Sequence, residues 1–285
     1  MKRNRRKVIA AGIVAALVAG VVVFEAVAYS PLRAMFQQDA DKLVQRADAE
    51  AAGGVFTEAD FAGFPVPVQR YIRHCGYLGA PKHPWVRIHL PGATLLRDGK
   101  PMIVDYTQYD LAPTPGRLAL IQASVSGVPF QGYDSFIDGT GGMKGVLGKL
   151  VTLFDQVGPQ MDQAGLVTLL SEAFILPLIL LQDYVQLTGV DDTHVAASIT
   201  WGGVAASGVF TFDESGEMTT FTTNDRAYTH PDGTMEPMPW TAKLGGYQDL
   251  GFGVLFPTRF QAVWHFPDAD QVYFDGTVSQ TAYKQ

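Results

Sequence analysis

The stretch AGLVTLLSEAFILPLILLQDYV, residues 164–185, carries the one long helical pattern in the last three-quarters of this 285-residue chain. Strand-like segments lie on both sides of it. At about 100° per residue, Leu166, Leu169, Leu170, Ala173 and Leu176 share one side, and Thr168, Ser171 and Glu172 share the other. Pro177 cannot donate to a helical ladder and clashes with the turn before it. The pattern therefore predicts a helix over 162–176 and a second, short one over 177–185. Glu172 is a lone acid among aliphatics. By angle it belongs to a solvated face. If a sheet curls over that side, the carboxylate faces a cavity instead, where it can accept a proton or anchor a ligand.

Working outward, the apolar period becomes two from Trp85. Val86, Ile88 and Leu90 alternate with Arg87 and His89, and 102–111, 117–125 and 128–137 read as further strands parted by Gly- and Pro-containing breaks. Asp98-Gly99 and Asp138-Gly139 are hairpin turn signals. Beyond the helix, strands resume at 194–201, 207–212, 218–223, 240–244, 253–266 and 271–283. Phe260, Ala262, Trp264 and Phe266 share one face of the penultimate strand, and Arg259, Gln261, Val263 and His265 share the other. Connections this short favour an antiparallel meander over βαβ units. About ten strands exceed what one flat sheet holds comfortably. The expected fold is α+β: a curved, largely antiparallel sheet or half-barrel with helices on one face, preceded by an N-terminal transmembrane helix.

The start of the chain is of another kind. Lys2, Arg3, Arg5, Arg6 and Lys7 precede a run without charge, VIAAGIVAALVAGVVVF at residues 8–24. This reads as a membrane anchor with a basic cytoplasmic end (1–7) and a span over 8–28, or as a signal segment cleaved after Ala26-Val27-Ala28. Both readings export the body, which sets localisation at the cell membrane with the main domain extracytoplasmic. Residues 29–56 read as a stalk helix and linker, and 57–285 as the exported domain. Net charge is −7 even with the five N-terminal cations, so the body is acidic. An acidic body argues against nucleic acid as a partner. Cys75 is the single cysteine, which excludes an intrachain disulfide. Thr57 and Asp60 have N-cap and N3 spacing. In the segment after Phe64, Val68, Tyr71, Ile72 and Cys75 make a helical stripe that Gly76 would end.

FPVPVQRYIRHCGYLG, FIDGTGGMKG, LLSEAFILPLILL, NDRAY, the Pro239-Trp240 pair and the closing strands through Tyr283 together resemble a bacterial family, domain of unknown function 6544, over roughly residues 64–283. The resemblance brings no established activity and no catalytic residues. The order of small helix, strands, central helices and strands is also similar to periplasmic lipid- and lipoprotein-carrier folds, a likeness of fold only.

Few constellations carry chemistry. The glycines of 138–145 do not meet the phosphate-loop template and read as a tight hairpin. The six histidines show no close ligand spacing, so no metal or cofactor is expected. There is no G-x-S-x-G elbow. Asp225 and Arg226 adjoin at a strand end, as a structural anchor or with Arg226 receiving an anionic head group or carboxylate. The aromatics of the second half either fill a core or line an apolar cavity. These residues point first to a membrane-tethered domain binding an apolar or lipid-like ligand or an envelope partner, with Glu172, Arg226, Trp240, Trp264 and His265 as ligand-binding candidates. The alternatives are a hydrolase or isomerase built from Glu172 with His265 or Asp225, and a scaffolding role.

Overall fold

The strands on either side of residues 164–185 belong to one sheet in the computed structural model, which describes residues 2–27, 29–97, 99–230 and 232–283. Ala28 of the expected cleavage site and Asp98 of the expected turn lie outside the described residues, as do the side chains of Lys2, Arg3, Arg5, Arg6 and Glu25.

Helix α1 (Lys2–Ala26) is followed by α2 (Pro31–Glu50), α3 (Glu58–Phe61) and α4 (Val66–His74). The first meander comprises β1 (Trp85–Arg97), β2 (Lys100–Leu111), β3 (Gly116–Val125), β4 (Val128–Ile137), β5 (Thr140–Leu147) and β6 (Val151–Val157). Helix α5 (Pro159–Ser171) and a 3-10 turn (Pro177–Leu181) then carry the chain across. The second half comprises β7 (Val185–Gly189), β8 (His194–Trp201), β9 (Val204–Phe212), β10 (Met218–Thr223), a side hairpin of β11 (Ala227–Thr229) and β12 (Met235–Pro237), β13 (Trp240–Asp249), β14 (Leu255–His265), β15 (Asp270–Thr277) and β16 (Gln280–Tyr283).

The main sheet has 14 strands in the order β6-β5-β4-β3-β2-β1-β15-β14-β13-β10-β9-β8-β7, with β16 also paired to β1. Every pairing in it is antiparallel. The expected count of about ten falls short for two reasons. The glycine-rich segment after Asp138 is itself strand β5, and several short strands flank the loops. The hairpin reading holds at the turn, where Asp138 and Gly139 have φ of 52° and 86°.

A twisted sheet this wide curls. Since α5 links one edge strand, β6, to the other, β7, it runs inside the curl and touches β5 on one flank and β8 and β9 on the other. Two glycines allow the close fit. A Cβ at Gly141 would collide with the Met161 carbonyl, and one at Gly165 would come within 2.9 Å of the Phe136 ring. The turns at Gly139 and Gly202 meet backbone to backbone, so the curl closes at that point.

This enclosure corrects the helix reading. The helix stops at Ser171, with Glu172 as its C-cap, and the following Ala173, Phe174, Ile175 and Leu176 are buried in a non-helical segment. Tyr71 of α4 donates to the Phe174 carbonyl at 2.8 Å, which replaces a helical partner. Residue 185 opens a strand instead of ending a second helix. From Ala164 to Ser171 both sides of α5 are covered, so the expected solvated face is absent from that stretch. Beyond its exposed first turn, a helix apolar on most sides and enclosed from Ala164 to Ser171 is what a curled sheet requires.

The helices do not share one face. α5 lies within the concave face, and α2 packs on the convex face of β2, β3 and β4. Leu32, Phe36, Ala40, Leu43 and Ala47 of α2 join Leu111, Leu118, Leu120 and Tyr133 in a second core. Burial of each large side chain contributes about 1.5–3 kcal/mol. Pro31–Glu50 is thus docked on the domain and is not a free stalk. The α4 stripe of Val68, Tyr71, Ile72 and Cys75 is buried, Gly76 is left-handed after it, and the capping box at Thr57 and Asp60 is formed. Among the described residues no helix is long and apolar enough to cross a membrane.

Candidate functional site

The period of two in β2 sends Asp105, Thr107 and Tyr109 outward and Tyr106, Gln108 and Asp110 into the concave face. The short turn after Leu111 sets Asp110 opposite Arg117 of β3, and β4 adds Asp134. The end of α5 drops Glu172 onto this row. The five groups converge on Arg117. Its Nε donates to Glu172 Oε2 at 2.9 Å, one terminal nitrogen donates to Asp134 at 2.7 Å, and the other donates to the Tyr106 hydroxyl at 2.6 Å and to Gln108 at 2.9 Å. Gln108 in turn donates to Glu172 at 2.8 Å and to Asp110 at 2.6 Å.

Arg117 is 4% exposed, Glu172 9% and Asp110 0%. Burial opposes the charge on Arg117, but the Glu172, Tyr106, Asp134 and Asp110 oxygens hold its pKa above its ordinary value. Asp110 is pushed well above the usual carboxylate range, first by burial and then by Glu172. Its Oδ1 lies 3.8 Å from Arg117 Nε and has no hydrogen-bond partner among the described residues. A proton on that oxygen, turned toward Glu172, satisfies it and removes one buried charge.

Above this network lies a cavity of about 250 Å³, a little under the usual range for drug-sized ligands. Glu172, Ser171 and Thr168 form part of its wall. Ile88, Leu90, Leu244, Phe260 and Phe274 form much of the rest. Ser171 and Thr168 hydroxyls are turned back to the carbonyls of Thr168 and Ala164, and do not offer a free nucleophile.

Arg226 stands on the far wall. Its guanidinium lies 4.4 Å from the Trp240 ring centroid and 5.6 Å from that of Trp264, and donates to Thr168 Oγ1 at 2.8 Å. Among the described residues no carboxylate pairs with it, and its Nε is buried without a partner. Trp240 is steered by its own Nε1–H, which donates to the Tyr273 hydroxyl at 3.1 Å. Trp264 stacks on Tyr273 behind the wall.

Of the sequence candidates, Glu172, Arg226 and Trp240 line one cavity, Trp264 backs Arg226, and His265 is elsewhere. The pleat turns His265 to the opposite face, where it meets Thr241 at 2.7 Å and Asp270 at 2.6 Å. Asp225 accepts from the backbone N–H and hydroxyl of Ser207, a loop anchor. The acid and histidine pairing considered for an enzyme is therefore not assembled. Among the described residues no cluster of His, Cys, Asp or Glu could hold a metal ion. Arg117, Asp110, Gln108 and Asp134 escaped the sequence reading. The signal was present in DYTQYD, whose same-parity Tyr106, Gln108 and Asp110 break the apolar alternation of an inward face.

No functionally curated protein matches the chain. Among solved structures, a Vibrio parahaemolyticus domain described provisionally as an outer membrane lipoprotein-sorting protein aligns at TM-score 0.40 and 11% identity, over 70% of this chain and 85% of that one. A DUF1329 family protein from Desulfovibrio piger aligns at TM-score 0.33 and 12% identity, over 81% of this chain and 94% of that one. The family model is decisive: residues 54–276 match it, and the chain belongs to DUF6544, a family of unknown function.

Proposed function

We propose that the domain is an extracytoplasmic binding module, tethered to the cell membrane through residues 8–28, that takes an apolar or lipid-like ligand into the cavity enclosed by the sheet and α5. The observation that carries this is the pairing of a mainly apolar cavity with Arg226, a cation that lacks a carboxylate partner among the described residues. Arg226 is half-buried with its Nε shut off from solvent, and an anionic or strongly polar ligand end against it offsets that desolvation. Trp240 and Trp264 hold the guanidinium plane and exclude water from one side of it. At the other end, the carboxylates of Glu172 and Asp134 are already engaged by Arg117, so that end fixes the cavity floor.

The test is native mass spectrometry of the full chain after mild extraction, beside an Ala242→Phe variant that fills the cavity. Adducts of apolar mass on the wild type, absent from the variant, support the reading. A wild type that emerges bare and takes up neither a long-chain carboxylate nor a lysophospholipid overturns it.

A further inference from the structure

One end of the sheet exposes a run of large apolar side chains among its polar turn residues. The hairpins β1–β2, β3–β4 and β5–β6 turn at this end, and their register sets them in one row. Val125 pairs with Val128, and the N–H of Gly148 donates to the carbonyl of Pro129 at 2.8 Å. Extending the β2–β3 pairing by two residues from Val104 and Ala123 sets Met102 beside Val125. The exposed side chains along the row are Val125 at 40%, Val128 at 41%, Leu150 at 70% and Val151 at 59%, with Ile103 at 63% just behind. An isolated exposed valine needs no explanation, but a contiguous apolar row does.

The apolar helix α1 ends against this same row. Lys149, at the β5–β6 tip, donates from Nζ to the carbonyls of Phe24 and Val27 and lies 5.3 Å from the Phe24 ring centroid. It adopts a left-handed φ of 62°, uncommon for a residue with a side chain. Its ammonium sits at the helix end, where a cation satisfies the last carbonyls. Ile13, Leu17 and Val21 of α1 are all exposed by more than half. A lysine thus joins the foot of an apolar helix to an apolar sheet end.

We infer that this end of the sheet, led by Val125, Val128 and Leu150, seats on the lipid bilayer beside α1, so that the domain lies down on the membrane surface. The inference rests on the reading of α1 as an anchor. The occupant is lipid because Lys149 ties the row to α1, whose apolar side chains from Ile9 to Val23 are exposed among the described residues. Exposed Lys100 at the β1–β2 tip suits an anionic head-group layer. Leu95, which lines the cavity, pairs with Met102 of the row, so the seated end adjoins the ligand space.

The test is site-specific labelling of the full chain. Cys75 is buried, its thiol pushed up to about 12 by burial, so a fluorophore attaches to an introduced cysteine. Labels are placed by Val128→Cys and Leu150→Cys in the row, Thr140→Cys at the opposite end of β5, and Val14→Cys in α1. Each chain is reconstituted in phosphatidylcholine vesicles with a minority of phosphatidylglycerol, then quenched by doxyl lipid or by aqueous iodide. The expected result is that labels at 14, 128 and 150 lose most of their emission to doxyl lipid while the label at 140 responds to iodide alone. Lipid quenching at 14 with iodide quenching at 128 and 150 overturns the seating but leaves the anchor. No lipid quenching at 14 overturns both. Labels at 128 and 150 shielded from both quenchers indicate a second copy in place of lipid, and also overturn the seating.

Discussion

Replacing Arg117 by methionine keeps most of the side-chain volume but removes the cation on which the buried row converges. The variant loses the bonds to Glu172, Asp134, Tyr106 and Gln108, all between 2.6 and 2.9 Å. It leaves the Glu172 and Asp134 carboxylates without their counter-charge in a site where Asp110 is already fully buried. Removing one partner of a buried ion pair costs roughly 3–5 kcal/mol, because the remaining charge stays desolvated. For a domain of this size each kcal/mol moves the melting temperature by about 2–4 °C, so the expected fall is about 6–20 °C. Thermal unfolding of the full chain in detergent, followed by circular dichroism, measures it. Glu172→Gln in the Arg117→Met background removes one of the stranded charges and should recover part of the loss. A fall below about 2 °C, or a double variant no more stable than the single one, would refute the view that Arg117 neutralises this floor.

Three further outcomes are expected. Asp110 keeps its proton in the folded state to well above the pH at which an unfolded aspartate ionises near 3.9, so the unfolded chain binds fewer protons and stability falls as pH rises above that value. Asp110→Asn should therefore flatten the fall in melting temperature between pH 5 and pH 8, and an unchanged or steeper slope counts against the assignment. Phe36→Ala, which empties a site between Tyr109 and Tyr133, should cost about 3–5 kcal/mol in urea unfolding; a free stalk helix would register almost nothing. Arg226→Ala should weaken uptake of a long-chain carboxylate about 10- to 100-fold by fluorescence titration, the worth of a charged hydrogen bond, with little change in melting temperature. Equal affinity in the two proteins would remove Arg226 from the site.

The fold was legible wherever a local rule sufficed. Period-two alternation marked β1 to β4, β8 and β14, and the Asp138-Gly139 turn and the α4 stripe needed only nearest-neighbour chemistry. What depended on enclosure was not legible. Glu172, Ser171 and Thr168 fall on the polar side of α5 by angle, which is correct, but that side faces a cavity walled by β1, β2, β3, β13, β14 and β15 instead of solvent. His265 lies on the face its alternation gives it, away from Phe260 and Trp264, and meets Thr241 and Asp270 there. The Arg117 network could have been reached from the turn at residues 113–116, since a short turn there pairs Asp110 with Arg117. α2 shows its buried stripe only once the convex face of β2, β3 and β4 exists to receive it.

The pairing of β1 with β15 has a consequence for how the chain reaches this state. Leu95 is bonded in register to Phe274, so the first long strand made receives its outer neighbour only after nearly the whole domain has been synthesised. Until then β1 presents an open edge, a template for pairing with other chains. Non-local pairing of this kind delays folding. Helix α5 must also be laid down before the two flanks close over it, because the Gly139 and Gly202 turns meet with no room for later entry. The order of assembly is thus constrained: first meander, helix, second meander, and last the seam between β1 and β15. A chain that waits on its final strands in this way depends on prompt completion, and truncation before β15 would leave a sticky half-sheet in place of a smaller domain.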